Sequence, residues 1–475
     1  MRRTLNKKVG VARREFMDVA ARMGIASAWV GASGLAGEES SIPSRSAGWN
    51  MDITLYNRPG WTSHAWYHQI AGDGSVLVPI QSYNMAAPFG DFMRTITSDL
   101  VLRSADAGKS WTSYRDSALT AYPWGCYGLP GKTPTGELVS ITCAPYTLSQ
   151  QEREEHLERY GLERFYNSHS EWLYTAGPAA MGDLLREKEI FVHPPSAIGD
   201  HQVGFTLQGY VCRISSEWGK TWRVKPITGL PYFAKDCGSF RNTLITRVGA
   251  WVAAVSGIPN AERKPTLAVD EATRLEPYGS YALCSEDQGQ TWKLNIIAFD
   301  PTGLRSFDQT ALLELPSRRL LAMMRHTDWS DPQGPSHFLY QSYSVDGGRG
   351  WSAPVNSGLQ GYPAHLLRLR SGKILCTYAY RSVPWGHRAA LSADEGRTWD
   401  IDHVKILRDD SLPGWTTYPT SSQLEDGSIF TTMGMVKMAA ALPQGRPFSD
   451  GVIRQFVYAA ASLFSEEFVV AVGRS

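Results

Sequence analysis

The chain has almost no net charge, since 47 lysines and arginines face 46 aspartates and glutamates. That balance leaves no electrostatic footprint for nucleic acid or an anionic membrane, so any partner must be recognised locally. Cysteine is scarce. The six residues, at 126, 143, 212, 237, 284 and 376, form no CxxC pair and no Cys/His metal spacing. Cys284 and Cys376 sit in apolar runs, where a buried inert thiol is expected, and disulfides are not demanded. No phosphate-binding glycine loop, nucleophile elbow or zinc-protease motif occurs. His64 and His68 would lie about 13 Å apart on one strand, too far for a shared metal. No run is unbroken enough to make a convincing membrane helix. The expectation is therefore no cofactor, no metal, no nucleic acid and no membrane span.

What is abundant is one octapeptide. It reads Ser104-Ala-Asp106-Ala-Gly108-Lys-Ser110-Trp111, Ser215-Ser-Glu217-Trp-Gly219-Lys-Thr221-Trp222, Ser285-Glu-Asp287-Gln-Gly289-Gln-Thr291-Trp292, Ser344-Val-Asp346-Gly-Gly348-Arg-Gly350-Trp351 and Ser392-Ala-Asp394-Glu-Gly396-Arg-Thr398-Trp399. In the shared pattern Asp can bond backbone amides of its own turn, Gly supplies a positive φ, and Trp lays an apolar face on the core. The second copy has Glu for Asp and the fourth Gly for Thr, so looser turns are expected there.

These repeats resemble the Asp-box, or BNR repeat, of β-propellers in the sialidase (neuraminidase) superfamily. Between them the chain repeats an apolar strand, a turn near Gly, a second strand, and a third that leads into the box. Six such units follow, the last running through Ser421–Leu424, Ile429–Met433 and Val452–Ala459 without a box. The expected fold is all-β: a six-bladed β-propeller of four-stranded antiparallel blades over 48–475. Blade two carries a long excursion, 145–209, within which Ser149–Arg164 and Met181–Glu189 are helix-compatible. Its expected role is to cap a site or contact a partner, or else a solvated excursion. Residues 1–40 read as a leader. Arg13-Arg14-Glu-Phe16-Met17, a mildly apolar stretch to about Ala36 and a polar end resemble a twin-arginine export signal, which implies a periplasmic or secreted protein.

In a propeller the innermost strands converge on a channel whose mouth is the default pocket. Aligning repeats on their turns places His64, Gln309 and Tyr418 near equivalent strand starts, and Arg325 at the end of a second strand. The resemblance then implies roles. Glu314 to Arg325 is similar to the family's strand-turn-strand that ends in a carboxylate-binding arginine. Tyr418 to Gly427 is similar to the segment with the nucleophilic tyrosine, and Asp91 falls near the acid/base aspartate. Two positions depart: the tyrosine's glutamate is replaced by Gln309, next to Asp308, and the first arginine by His64, with Arg58 nearby but offset. For the third arginine there is no clean match, and Arg381, His387 and Arg388 are the candidates. Arg325 paired with Asp308 or Asp328 as a structural ion pair is the competing reading.

Guanidiniums fix carboxylates through paired, charge-assisted bonds. An acidic oligosaccharide or polysaccharide is thus the expected partner, and 16 Trp and 21 Tyr suit sugar stacking. Three functions compete. One is an exo-glycosidase in which Tyr418 attacks, Asp91 handles the leaving-group proton and Arg325 holds the carboxylate; a neutral attacker avoids repulsion from an anionic sugar. Another is a polysaccharide lyase or uronate-linked glycosidase that uses His64 and Tyr418 as a proton-transfer pair. The last is a glycan-binding propeller without catalysis.

Overall fold

The computed structural model describes residues 48–58, 60–84, 97–114, 128–145, 208–217, 222–227, 230, 232–235, 241–260, 278–328, 330, 337–413, 416–438 and 455–470. All lie in the second of two compact units, Arg45–Ser475, the first being Met1–Ser44. The expected leader and Asp91 fall outside the described residues. So does the body of the blade-two excursion with its two helix-compatible stretches; its flanking strands are Leu138–Pro145 and Gln208–Ser215.

Six antiparallel blades form the propeller. Blade one is Trp61–His64 with Gln69–Ile70, then Val76–Asn84, Thr97–Ser104 and Thr112–Tyr114. Blade two is Gly131–Lys132, Leu138–Pro145, Gln208–Ser215 and Arg223–Ile227, and blade three is Thr243–Ile245, Trp251–Asn260, Gly279–Ser285 and Lys293–Ala298. A short strand, Tyr232–Lys235, pairs with both and merges them into one sheet. Blade four is Arg305–Glu314, Leu320–Asp328, Phe338–Ser344 and Val355–Gln360; blade five is Ala364–Arg368, Ile374–Tyr380, Gly386–Ser392 and Lys405–Arg408.

Blade six supplies only three strands of its own, Thr417–Gln423, Ile429–Met438 and Gln455–Phe464. Its outermost strand is Asn50–Tyr56 from the other end of the described chain, in register from Asn50↔Phe464 to Tyr56↔Ala459. This closure explains the missing sixth box. Each box is the turn between a third and a fourth strand of one blade, and in blade six no such turn exists because the fourth strand arrives from elsewhere. The sequence reading counted the blades without seeing this strand.

Blades stack face to face, so their middle strands are covered on both sides and read as continuous apolar runs rather than alternating ones. Leu320, Leu321, Ala322, Met323 and Met324 are all buried, as are Trp251 to Val255. The outer Val355–Gln360, by contrast, shows mostly exposed positions. The core is accordingly a series of inter-blade layers, such as Leu321, Met323, Leu366 and Cys376 between blades four and five, and Val78, Leu102, Phe430 and Ala461 between one and six. Phe430, fully buried against Trp111 and His68, is one such bolt, and Phe430→Ala is expected to cost about 3–5 kcal/mol.

The four boxes described throughout fold as the pattern requires, with one amendment; Trp218–Thr221 of the second lies outside the described residues. In box five Ser392 Oγ and Thr398 Oγ1 donate to the Asp394 carboxylate at 2.8 and 2.7 Å, and the Thr398 amide adds a bond of 2.9 Å. Box four keeps this shape despite Gly350, whose amide reaches Asp346 at 2.9 Å; only the hydroxyl bond is lost, so that turn is not loosened. The box glycine also faces the preceding blade. Its carbonyl accepts from Lys225 at Gly289, from Asn295 at Gly348 and from Gln341 at Gly396. A β-carbon at Gly396, which has φ +79°, would come within 2.7 Å of Leu321 in blade four. The boxes therefore latch blade to blade as well as closing hairpins.

Candidate active site at the channel mouth

Strand direction separates the two ends of each blade. First strands begin at one end, and both the first turn and the box lie at the other, so the boxes sit opposite the strand starts. At the strand starts two blades break their ladders in the same way. The register of blade four shifts between Asp308 and Ala311, and that of blade six between Thr417 and Thr420. A bulge re-aims side chains that regular alternation would turn away. Gln309 adopts φ +47°, a left-handed conformation that is uncommon for a side-chain-bearing residue and is worth its strain only where geometry demands it.

The two bulges meet. Gln309 Nε2 donates to the Tyr418 hydroxyl at 2.7 Å, across 109 residues of sequence. Both lie six positions before the residue that opens their first turn, Leu315 and Leu424, so one register delivers them to the same level. Gln309 Oε1 is buried without a hydrogen-bond partner among the described residues.

Three guanidiniums converge on this phenol. Arg325, paired across the strands with Asp308, has its Nε 3.5 Å from that carboxylate and its planar group 4.2 Å from the Tyr362 ring. Its Nε is buried without a hydrogen-bond partner among the described residues, and its side chain is 26% exposed. Arg381, just past the second strand of blade five, donates twice to the Thr416 carbonyl and lies 4.7 Å from Tyr362 on its own account. Arg241, which enters blade three, lies 4.7 Å from the Tyr418 ring centroid. The Asp308 carboxylate stands against these cations at the phenol.

The electrostatics follow. Burial pushes the Tyr418 phenol up, while Arg381, Arg241 and Arg325 pull it back and Asp308 adds to the rise. Burial lowers Arg381 and takes Arg241 down to about 10, so both remain charged at neutral pH. Burial also opposes the charge of Arg325, but Asp308 and the phenols of Tyr362, Tyr418 and Tyr278 outweigh it, and its proton is held more tightly than usual. Desolvation and the cations Arg325 and Arg381 keep His337, edge-on to Tyr362 at 4.8 Å, neutral.

The other expected residues divide. His64 is fully buried and stacked on Trp66 at 4.2 Å, and the Trp66 ring lies 5.2 Å from that of Tyr418. Burial takes His64 down to about 3, so it reaches the mouth as a neutral ring behind an indole. Arg388 is turned into the blade: its terminal nitrogens donate to the carbonyls of Pro384, His387 and Arg408, which makes it a brace and leaves Arg381 as the arginine of blade five that faces Tyr418. Arg58 is exposed and stacked on Trp61 at 3.6 Å, ahead of blade one. Arg241, Tyr362 and Trp66 escaped the sequence reading. A signal existed for Arg241: it is a charged residue at the entry to the apolar run Phe240–Thr246, five positions before the turn residue Thr246.

Residues 197–431 match the family described as a BNR repeat-like domain. With six radial blades and latched Asp-box turns, the chain is a six-bladed β-propeller built on BNR-type repeats. No curated protein gives a significant match. Among solved structures, a protein of unknown function from Dyadobacter fermentans has a TM-score of 0.56 at 17% identity, covering 87% of this chain and 97% of its own, which shows a common fold. Trypanosoma rangeli sialidase in complex with the inhibitor DANA scores 0.48 at 11% identity, over 89% of this chain and 61% of that one. Penicillium chrysogenum α-L-arabinanase complexed with arabinobiose scores 0.46 at 12% identity, over 91% and 100%.

Proposed function

We propose that this chain is an exported carbohydrate-active enzyme, a sialidase-like exo-glycosidase that acts on a terminal sugar bearing a carboxylate. One observation carries the reading: the Tyr418 hydroxyl, held at 2.7 Å by Gln309, stands amid three guanidiniums with the Asp308 carboxylate against them. Burying that excess of positive charge is costly unless an anion offsets it, and a bidentate carboxylate suits a guanidinium.

In this reading Arg325, whose Nε has no hydrogen-bond partner among the described residues, takes the substrate carboxylate and Arg381 supports it across Tyr362. The Tyr418 oxygen attacks the anomeric carbon, the glycosidic C–O bond breaks, and Asp91 gives a proton to the departing oxygen. Water then displaces tyrosine from the sugar. Asp91 rests on the family resemblance alone. Export rests on the Arg13-Arg14 leader, and Arg13→Lys with Arg14→Lys should hold the protein in the cytoplasm.

Gln309 weakens the first reading, because an amide cannot accept the phenol proton as a glutamate would, and leaves room for a second in which an ionised Tyr418 is a base rather than a nucleophile. Tyr418 would then remove the proton beside a carboxylate neutralised by Arg325, and a uronate-linked polysaccharide would be cleaved by elimination. Purified protein incubated with sialosides and uronate polysaccharides separates the two. New reducing ends without near-ultraviolet absorbance mark hydrolysis, and an unsaturated, absorbing sugar marks elimination. Absence of turnover on every acidic glycan, with binding intact, would leave only a glycan-binding propeller.

A further inference from the structure

Among the described residues Arg241 is a buried cation without an acid. It is 1% exposed, and it crosses the channel axis from blade three to donate to Ala364 O of blade five at 3.1 Å and to Pro419 O of blade six at 2.5 Å. Its remaining nitrogen, Nη1, is buried without a partner among the described residues. Leaving a guanidinium in such a place is destabilising by several kcal/mol unless something offsets the charge. Two carbonyl dipoles and the face of Tyr418, 4.7 Å away, are what the fold supplies.

Gln309 poses the complementary problem. For Tyr418 to attack carbon or take a proton, its own proton must go, and the nearest group is an amide that already donates to the phenol oxygen. An amide N–H at that oxygen stabilises the ionised form and cannot relieve the neutral one of its proton. The phenol must therefore lose H⁺ to solvent before the chemical step, and the site must hold a phenolate.

We propose that Arg241 is a positioning residue that serves as the buried counter-charge of an ionised Tyr418, with the Gln309 amide as the donor to its oxygen. This rests on Tyr418 being the reacting group of the proposed activity. The Pro419 bond fixes the bulge that carries the tyrosine, while the guanidinium lies on the ring. Proton and charge balance: the phenol releases H⁺ to water, and its negative charge meets the positive charge of Arg241. The other groups that face the phenol are Arg325 and Asp308 of blade four, whose charges oppose one another, Arg381 of blade five, and the neutral Trp66 of blade one. Behind Arg241 stands His365, and beyond it His68; burial takes both down to about 3, so they stay neutral through the range in question.

The test is the ultraviolet titration of the phenol, taken as the difference between the full chain and its Tyr418→Phe variant. Arg241→Gln keeps donors for the two carbonyls but removes the charge, and should move the Tyr418 midpoint up by about one unit, a tenfold loss of phenolate at fixed pH. Arg241→Lys, which keeps a charge, should move it less. An unmoved midpoint in folded Arg241→Gln overturns the proposal. Should that variant not fold, the unsubstituted chain decides: a midpoint constant between low salt and 1 M salt fits a buried counter-charge, and one that climbs with salt assigns the role to the open Arg325 and contradicts the proposal. Glycan turnover is scored separately. An unmoved midpoint with activity intact sinks only the role of Arg241, whereas full activity in Tyr418→Phe sinks the site.

Discussion

In the fifth Asp-box the Asp394 carboxylate takes bonds from Ser392 and Thr398, and the Gly396 carbonyl is reached by Gln341 of the neighbouring blade. At the opposite end of the same molecule, Gln309 leaves its carbonyl oxygen unpaired, Arg325 its Nε and Arg241 its Nη1. Both regions are polar and both are built from turns or bulges. One satisfies itself locally in the four copies described throughout, and the other holds buried donors and acceptors without hydrogen-bond partners among the described residues. Buried polar groups in folded proteins are normally paired, so an accumulation of exceptions at one mouth is a sign of a ligand. The boxes are where the chain is stapled, and the mouth is where stability is given up for recognition.

That contrast can be broken by substitution, most forcefully at the phenol. Tyr418→Phe should lower turnover of an acidic glycan by about 10²–10⁴-fold while leaving the thermal midpoint nearly unchanged, as read by product assay and calorimetry together. Gln309→Leu removes a donor to the charged form of Tyr418 and should cost about 10–100-fold in turnover, again without a matching loss of stability. Asp394→Ala should do the reverse. It is expected to lower stability by about 1–2 kcal/mol in chemical denaturation and leave kcat/KM alone, since the box is far from the mouth.

The smallest effect is a separation in pH. Burial takes His64, His68, His365 and His387 down to about 3, below the ordinary 6.5 of the unfolded chain. The unfolded state therefore binds more protons between those values, so stability is full above about pH 6.5 and declines as pH falls toward 3. The box carboxyls Asp106, Asp346 and Asp394 are lowered too; for Asp106 and Asp394 burial opposes the shift, but bonds from their own loops prevail. Their contribution is present above about pH 4, the unfolded value, and is lost only as pH falls through their folded values. Melting curves should show the channel yielding first, and His387→Asn should flatten the upper part of the slope while Asp394→Ala flattens the lower.

How much of this was legible in the sequence follows the same line. The boxes were plain because each is a local contract among eight residues, and the meeting of Gln309 with Tyr418 was visible from their equal distance to a turn. The closing strand Asn50–Tyr56 was missed because its pairing partner lies some 400 residues away and its own pattern is that of any half-exposed strand. Arg241 was missed for a related reason. Its partners Ala364 and Pro419 are backbone atoms of other blades, and no spacing along the chain encodes a side chain that crosses the axis. Arg388 was overrated because proximity to a box was taken as proximity to the mouth, whereas its strand neighbours claim its donors.

The central claim is that the mouth around Tyr418 and Arg325 receives a carboxylate. Calorimetric titration of the chain with a free acidic sugar, and with the same sugar as its methyl ester, tests it most directly, with Arg325→Gln as the internal control. The account predicts binding of the acid, at least tenfold weaker binding of the ester, and loss of that difference in Arg325→Gln. Equal affinity for acid and ester in the unsubstituted chain would contradict it.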